Sequence, residues 1–285
     1  MRTVYVQVHN PKSGGTTFHN IMRHNLGGGH FRYDSQLVPR QDGSAEAFGA
    51  LLDHYPWLAG YSSHRFSLDL PYDRPDTRIV AITFVRDPVE RFLSHYHFNR
   101  TGRGALDLQA KEWPLSDYIT RVLEEKIPPN HDNAHTRFRL SQLDFLAGNR
   151  SLAALDQVQS LLERGDLLAF PLERFDEACL VLEKRFADDF SDCSYVPRNV
   201  VKKTDKQASE SDRQRIRAHL PESDFKLHGL VHTWLDQALE GAFPGGEGLE
   251  GALQGFRERC QRKWAWEKSP ALSWRLRRIW ACLQS

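Results

Sequence analysis

The chain has 285 residues, of which 40% are hydrophobic and 26% are charged, a composition typical of a globular protein that buries a sizeable core. Its 38 basic and 37 acidic side chains give a net charge of +1, so an overall basic surface for nucleic acid or an anionic membrane is excluded and any anion site must be local. The 4 cysteines form no CxxC pair, which favours a reducing compartment. The alternative that two of them form one disulfide bridge is compatible with the sequence.

The first predicted unit is a strand, a turn and a helix. Met1 and Arg2 lead directly into TVYVQVH, without the apolar run of a signal peptide, and no stretch approaches the ~20 apolar residues of a membrane span. We therefore expect a cytoplasmic protein. Alternating valines predict a strand over Thr3–His9, and after the turn PKSGG the apolar spacing predicts a helix over Thr16–Asn25. This order opens an α/β nucleotide-binding fold.

A second unit of the same kind follows. The continuous apolar run RIVAITFV, Arg78–Val85, is typical of a strand buried on both faces of a parallel sheet. A helix should begin at once, because Asp87 can cap it, Pro88 suits its first position and Glu90 stands three residues after the cap.

Most of the remaining chain has helical periodicity, interrupted by one short strand at Leu167–Pro171. Strands interleaved with helices favour a three-layer α/β domain with a central, mostly parallel sheet. Helices are predicted around 115–123, 152–162, 176–186, 209–219 and 224–242.

The segment FPGGEGLEGALQG carries five glycines and a proline, which predicts a linker. We place a domain boundary at Phe243, with residues 1–243 as the main domain and 244–285 as a helical C-terminal extension. That extension, with Trp264, Trp266, Trp274 and Trp280 among basic residues, either packs on the domain or contacts a partner or a membrane surface. Packing is the favoured alternative.

The strongest local signal is the turn HNPKSGGTT between the first strand and its helix. Gly14 and Gly15 allow close approach of an oxyanion to the backbone, and the helix N-terminus directs N–H groups at it. The other candidate ligands are Lys12, Ser13, Thr16 and Thr17. Because the lysine precedes the glycines and GxxxxGK[ST] is absent, this is not a Walker motif. The alternative is a plain strand-to-helix turn.

The second turn offers another anion site. In VRDPVERFLSHYHF, Arg86 stands at the end of a strand and Ser94 two helical turns later, where they could hold a second phosphate. Alone, this segment would be an ordinary capped helix.

Together, PKSGGTTF and RDPVERFLSHYHF resemble the 5'-phosphosulfate loop and the 3'-phosphate motif of sulfotransferases that use PAPS (3'-phosphoadenosine 5'-phosphosulfate). They are similar to the carbohydrate branch that includes heparan sulfate 2-O- and uronyl 2-O-sulfotransferases, and the likeness weakens toward Ala242. The resemblance implies a P-loop-like α/β fold, PAPS as donor, a hydroxylated acceptor such as a glycan, and no metal requirement for catalysis.

Sulfuryl transfer needs a base for the acceptor hydroxyl and a cation for the leaving phosphate oxygen. Lys12 suits the second task. The loop AGYSSHRFSL resembles the one that carries the base histidine in the 2-O-sulfotransferases, which makes His64 the candidate base, although Ser62 stands where those enzymes have another histidine. With 13 histidines present, any one alone would be taken as a surface or core residue.

Two further segments resemble family regions. NHDNAHTRFRL contains Asn133 and Arg137, which would face the donor and acceptor, or alternatively form an exposed helix start. NVVKKTDK resembles a basic loop that closes over the 3'-phosphate, and its candidates are Lys202, Lys203 and Thr204.

The sequence predicts no metal centre. His95 and His97 would point to different faces of a helix, and the pair His131 and His135 has no HExxH motif or third ligand.

Two other functions stay open. A kinase or other phosphoryl transferase would require Mg²⁺ ligands and a Walker-like lysine, which the sequence does not offer. A module that binds nucleotide or glycan without turnover would retain the site but not the chemistry.

Overall fold

The computed structural model describes residues 1–32, 44–100, 112–125, 141–148, 154–198 and 208–268. These residues form one five-stranded sheet in which every pairing is parallel, with the order β2-β3-β1-β4-β5. The strands are β1 (Arg2–Val8), β2 (His30–Arg32), β3 (Gly60–Ser63), β4 (Thr77–Val85) and β5 (Leu167–Pro171). The predicted α/β class with a parallel sheet is confirmed.

Ten α-helices accompany the sheet within these described ranges. They are α1 (Gly15–Leu26), α2 (Ala45–His54), α3 (Pro88–Arg100), α4 (Leu115–Ile119), α5 (Gln142–Ala147), α6 (Ala154–Arg164), α7 (Phe175–Arg185), α8 (Glu210–His219), α9 (Glu222–Ala242) and α10 (Leu249–Glu267). A π-helical turn at Thr120–Glu124 continues α4.

The helices cover both faces of the sheet, because side chains of each buried strand alternate between two clusters. Val4 and Val6 of β1 face a cluster with α2, α5 and α6, whereas Tyr5 faces a cluster with α1, α7 and α10. Helix α9 runs past β5 and contributes to both clusters, with Leu227 in the first and Leu235 in the second. A third cluster joins α3, α4 and α8. The predicted three-layer arrangement follows from this packing.

The three predicted strands are confirmed, and so are the predicted helices, which correspond to α1, α3, α4 with its π-helical turn, α6, α7, α8 and α9. The cap is also confirmed, since the Glu90 N–H donates to Asp87 Oδ1 at 2.9 Å. The Asp87 N–H, however, donates to Glu173 Oε1 rather than to Glu90. Sequence periodicity did not predict β2 and β3. They are short and partly polar, and they are strands because the edge of β1 pairs with β3 and β3 with β2.

After Phe243 the chain makes a 3-10 turn at Pro244–Gly246 and enters α10, which buries Leu253 and Phe256 in the cluster with α7. The boundary at Phe243 stays a prediction. Trp264 and Trp266 near the end of α10 are 49% and 63% exposed. Trp274 and Trp280, the other two tryptophans of the predicted C-terminal extension, lie outside the described residues.

Three of the four cysteines, Cys179, Cys193 and Cys260, are free thiols. None of the helices in the described ranges has the length and apolar character needed to cross a membrane.

Candidate functional site

The candidate site begins at the turn between β1 and α1. Lys12 has a φ of 67°, in the left-handed region that non-glycine residues rarely adopt, and such a conformation costs about 1 kcal/mol. Gly14 has a φ of 76° and is the residue from which α1 begins. Its carbonyl accepts from the N–H groups of Thr17 and Phe18. The turn therefore needs outside contacts to hold Lys12 in this backbone conformation.

Two arginines of the second strand–turn–helix unit supply these contacts. Arg91 Nε donates to the Pro11 carbonyl at 3.0 Å, and Arg86 Nη1 donates to the Lys12 carbonyl at 3.3 Å. Arg91 is only 1% exposed, so its guanidinium is a buried part of the framework. Consecutive carbonyls of the first turn are thus held by the second turn, and the two predicted phosphate motifs are in direct contact.

Lys12 and Arg86 place two positive charges side by side. Burial lowers the pKa of Lys12 to about 8, and the nearby Arg86 guanidinium adds to this effect. Burial also lowers the pKa of Arg86, which Glu90 partly offsets at an Nη2–Oε2 distance of 3.7 Å. The Lys12 ammonium lies 4.0 Å from the ring centroid of Phe98. An oxyanion bound beside both groups would favour their charged forms, as expected of an anion site.

Gln142 connects the two turns from α5. Its Oε1 accepts from Asn10 Nδ2 at 2.9 Å and from the Arg86 N–H at 3.0 Å, and it lies 3.4 Å from Ser13 Oγ. Its Nε2 donates to the Arg86 carbonyl at 2.7 Å. Gln142 is completely buried, so these bonds are shielded from water.

Asp224 of α9 in turn holds Gln142. Its carboxylate accepts from the N–H groups of Gln142 and Leu143 at 2.8 and 3.0 Å and from Ser141 Oγ at 2.9 Å. Burial raises the pKa of Asp224, while these hydrogen bonds and the charge of Arg91 oppose that rise. The buried carboxylate thus satisfies the orphan N–H groups at the start of α5.

The candidate base lies next to the same turn. His64 Nδ1 is 2.7 Å from the His9 carbonyl, and the two imidazoles stack with centroids 3.7 Å apart. The His9 ring covers Gly15 so closely that a Cβ there would lie 1.9 Å from His9 Cδ2. Because a carbonyl can only accept, His64 must carry its hydrogen on Nδ1. In the neutral ring, Nε2 is then the proton acceptor.

Parallel topology explains why these groups meet. Val8 pairs with Ser63 at the ends of β1 and β3, and β4 runs parallel on the other side of β1. His9, His64 and Arg86 each follow the last residue of one of these strands, so they share the carboxyl edge of the sheet. This edge is where open α/β sheets bind their ligands.

The other predicted residues are only partly located. Ser13 and Thr17 are buried, Thr16 is exposed, and Ser94 is half-buried in α3. Thr17 Oγ1 accepts from the Arg198 N–H at 3.2 Å, which brings the chain just before residue 199 against the start of α1. The predicted residues Asn133, Arg137, Lys202, Lys203 and Thr204 lie outside the described residues.

Ser62, which stands where the 2-O-sulfotransferases have a second histidine, contacts a histidine of the neighbouring strand. Its hydroxyl lies 2.9 Å from His30 Nε2, on β2. Burial lowers the pKa of His30 to about 3, so this imidazole is neutral and Nε2 can accept the hydroxyl proton.

Sequence reasoning missed Gln142, Asp224 and His9, and it did not assign a role to Arg91. Arg91 belongs to the motif VRDPVERF, which could have suggested a role in the site. Gln142 and Asp224 offered no such signal, because SQLDFL and ESDF are typical of ordinary helix starts.

Comparison with known proteins gives a matching family model and several matching solved structures. The family model described as "Sulfotransferase family" matches residues 3–114, which contain the turn at Lys12, His64 and Arg86. No curated protein matches the chain. A crystal structure of a sulfotransferase from Alicyclobacillus acidocaldarius is 17% identical, with 82% of this chain and 99% of that chain covered and a TM-score of 0.44.

Proposed function

We propose that this protein transfers a sulfuryl group from PAPS to a hydroxyl of a carbohydrate acceptor. The observation that carries the proposal is the contact between the two turns, which sets the cations of Lys12 and Arg86 together at the carboxyl edge of the sheet. The match of the sulfotransferase family model to the segment containing both residues supports the reaction class.

The donor would bind across both turns. Its 5'-phosphosulfate would lie on the turn from Lys12 to Thr17, where glycine backbone, hydroxyls and a helix N-terminus favour an oxyanion. Its 3'-phosphate would bind Arg86 and Ser94. The basic loop containing Lys202, Lys203 and Thr204 would close over that phosphate, and Arg198, which precedes this loop, already contacts Thr17.

Transfer would follow an in-line path. The acceptor oxygen forms a bond to sulfur while the bond from sulfur to the bridging phosphate oxygen breaks, which releases 3'-phosphoadenosine 5'-phosphate (PAP). His64 Nε2 takes the hydroxyl proton, and the Lys12 ammonium stabilises the negative charge on the departing phosphate. The bond from Nδ1 to the His9 carbonyl holds His64 in the tautomer that a base requires.

A carbohydrate acceptor is proposed from the resemblance of the two motifs to the 2-O-sulfotransferases. Asn133 and Arg137 are the candidates for contacting it.

Calorimetric titration with PAP tests the donor site, with 5'-AMP and ATP/Mg²⁺ as comparison ligands. We expect PAP to bind at least tenfold more tightly than 5'-AMP, because only PAP carries the 3'-phosphate. Lys12→Ala and Arg86→Ala should each weaken PAP binding by tenfold or more. Lys226→Ala and Arg257→Ala are controls, since both side chains are exposed cations in ion pairs, with Glu222 and Asp176 respectively.

Transfer of labelled sulfate from PAPS to a panel of glycans and small alcohols tests the reaction itself. Labelled glycan supports the proposal, and labelled small alcohols alone would overturn the acceptor class. Equal or tighter binding of ATP/Mg²⁺ would overturn the sulfotransferase assignment in favour of a kinase. PAP or glycan binding without transfer to any acceptor would favour the binding module.

A further inference from the structure

Three potential metal ligands lie together, and none of them belongs to the two histidine pairs considered in the sequence. His228 and His232 stand one turn apart on α9, and Glu173 lies in the turn after β5. One ligand atom from each residue lies within 4.8 Å of the other two. Glu173 Oε2 is 3.2 Å from His228 Nε2, and the two imidazole centroids are 4.6 Å apart. Two imidazoles and a carboxylate from separate elements therefore converge on one point.

The carboxylate of this cluster is held in place by its second oxygen. Glu173 Oε1 accepts from the Asp87 N–H at 2.9 Å, which leaves Oε2 directed at His228. The Glu173 side chain is 38% exposed and that of His228 is 19% exposed. The cluster is thus oriented by the protein and still reachable by an ion from solvent.

Arg174, the residue after Glu173 in the chain, is a cation beside the cluster. It is paired with Glu177 and with Asp236 on α9, so its charge is balanced by two carboxylates.

We propose that Glu173, His228 and His232 bind a divalent transition-metal ion, with Zn²⁺ as the best match. Two imidazoles and one carboxylate form a donor set that Zn²⁺ takes with a fourth position open to water. For His228 Nε2 to bind the ion, the neutral ring carries its hydrogen on Nδ1 instead of sharing it with Glu173 Oε2. The ion would link the turn after β5 to α9, beside the turn that carries Arg86, and it has no role in the proposed sulfuryl transfer.

Titration of tag-free, EDTA-treated protein with ZnCl₂ tests the site. We expect one equivalent to bind, with His232→Ala and Glu173→Gln each weakening the affinity at least tenfold. His24→Ala is the control, because His24 Nε2 lies 3.8 Å from Asp192 in another histidine–carboxylate pair, which does not belong to the cluster. Titration with Co²⁺ should add visible d–d bands of a four- or five-coordinate ion, and these bands should be lost in His232→Ala.

Thermal unfolding gives an independent measure. Zn²⁺ at about 100 times its Kd should raise Tm by roughly 5 °C or more in the wild type and in His24→Ala, but not in His232→Ala. An unchanged Tm of His232→Ala without metal would show that this variant folds. Failure to bind Zn²⁺, or equal binding by wild type and His232→Ala, would overturn the proposal.

Discussion

The side chain of Gln142 pairs with the backbone of Arg86 in both directions. Its Oε1 accepts from the Arg86 N–H at 3.0 Å and its Nε2 donates to the Arg86 carbonyl at 2.7 Å. A residue 56 positions later in the chain thus substitutes for a neighbouring strand just where β4 ends. This pairing fixes the direction in which Arg86 enters the anion site.

Replacement of Gln142 by Ala should therefore affect both folding and donor binding. It leaves the N–H and carbonyl of Arg86 and the amide of Asn10 without this buried partner, so we expect a loss of about 2–4 kcal/mol in unfolding free energy. PAP binding should weaken at least fivefold. Urea unfolding and calorimetry measure the two effects.

Gln159→Ala is the control for this prediction, because Gln159 is exposed on α6 and its amide donates to Glu163 Oε1 at the surface. It should change neither quantity. Wild-type stability together with wild-type PAP affinity in Gln142→Ala would contradict the role of this residue in holding the two turns.

The lowered pKa of Lys12 predicts how donor binding depends on pH. In the free protein this pKa is about 8, below its ordinary value of 10.5, so the ammonium is lost as pH rises through 8. An anion favours the charged form, and binding above pH 8 then requires proton uptake. We expect the Kd for PAP to rise by up to tenfold per unit between pH 8 and 9.5, and to be flat from pH 7 to 7.5.

Lys12→Arg separates this effect from other titrating groups, since an arginine stays charged over the whole range. The Kd of Lys12→Arg for PAP should not change with pH up to 9.5, whatever the affinity of this variant is. A wild-type profile equally flat would show that Lys12 is not in contact with the bound anion. Folding stability should depend on pH in the opposite direction, because burial of charged Lys12 costs stability below pH 8 and this cost is relieved between pH 8 and 10.5.

Gly15 should not tolerate a methyl group. A Cβ at this position would lie 1.9 Å from His9 Cδ2, and the His9 ring is stacked on His64. Gly15→Ala should displace His9, destabilise the fold by about 1–3 kcal/mol and reduce sulfuryl transfer at least tenfold. Gly251→Ala is the control, because a Cβ there meets nothing within 4 Å on α10, and it should be neutral or stabilising by about 0.5–1 kcal/mol. Wild-type activity in Gly15→Ala would count against the stacked arrangement.

His64→Ala should separate chemistry from donor binding. Removal of a general base lowers kcat by about 10²–10⁴, while the Kd for PAP should change less than twofold. Single-turnover transfer and PAP titration measure the two quantities. His54→Ala, at the exposed end of α2, should leave both unchanged. Transfer at the wild-type rate in His64→Ala would exclude this residue as the base.

The sequence predicted those elements of the fold whose residues show a local pattern. Alternating valines predicted β1, short apolar runs predicted β4 and β5, and the cap at Asp87 predicted the start of α3 correctly. The strands β2 and β3 were not predicted, because three or four residues show too little periodicity. They form because β3 pairs with β1 and β2 pairs with β3. His64 was proposed as a base from a loop resemblance, and its position directly after β3 depends on that unpredicted strand.

By itself the sequence determined which groups could bind an oxyanion, since glycines, a lysine and a helix start are adjacent in the chain around Lys12. Only the tertiary structure decided how that turn is held. Asp224 binds the start of α5 and Gln142 binds Arg86, while Arg86 and Arg91 bind the turn at Lys12. These contacts join residues far apart in the chain, so local sequence propensities cannot predict them. Their geometry exists only once the parallel strands bring their carboxyl ends to one edge.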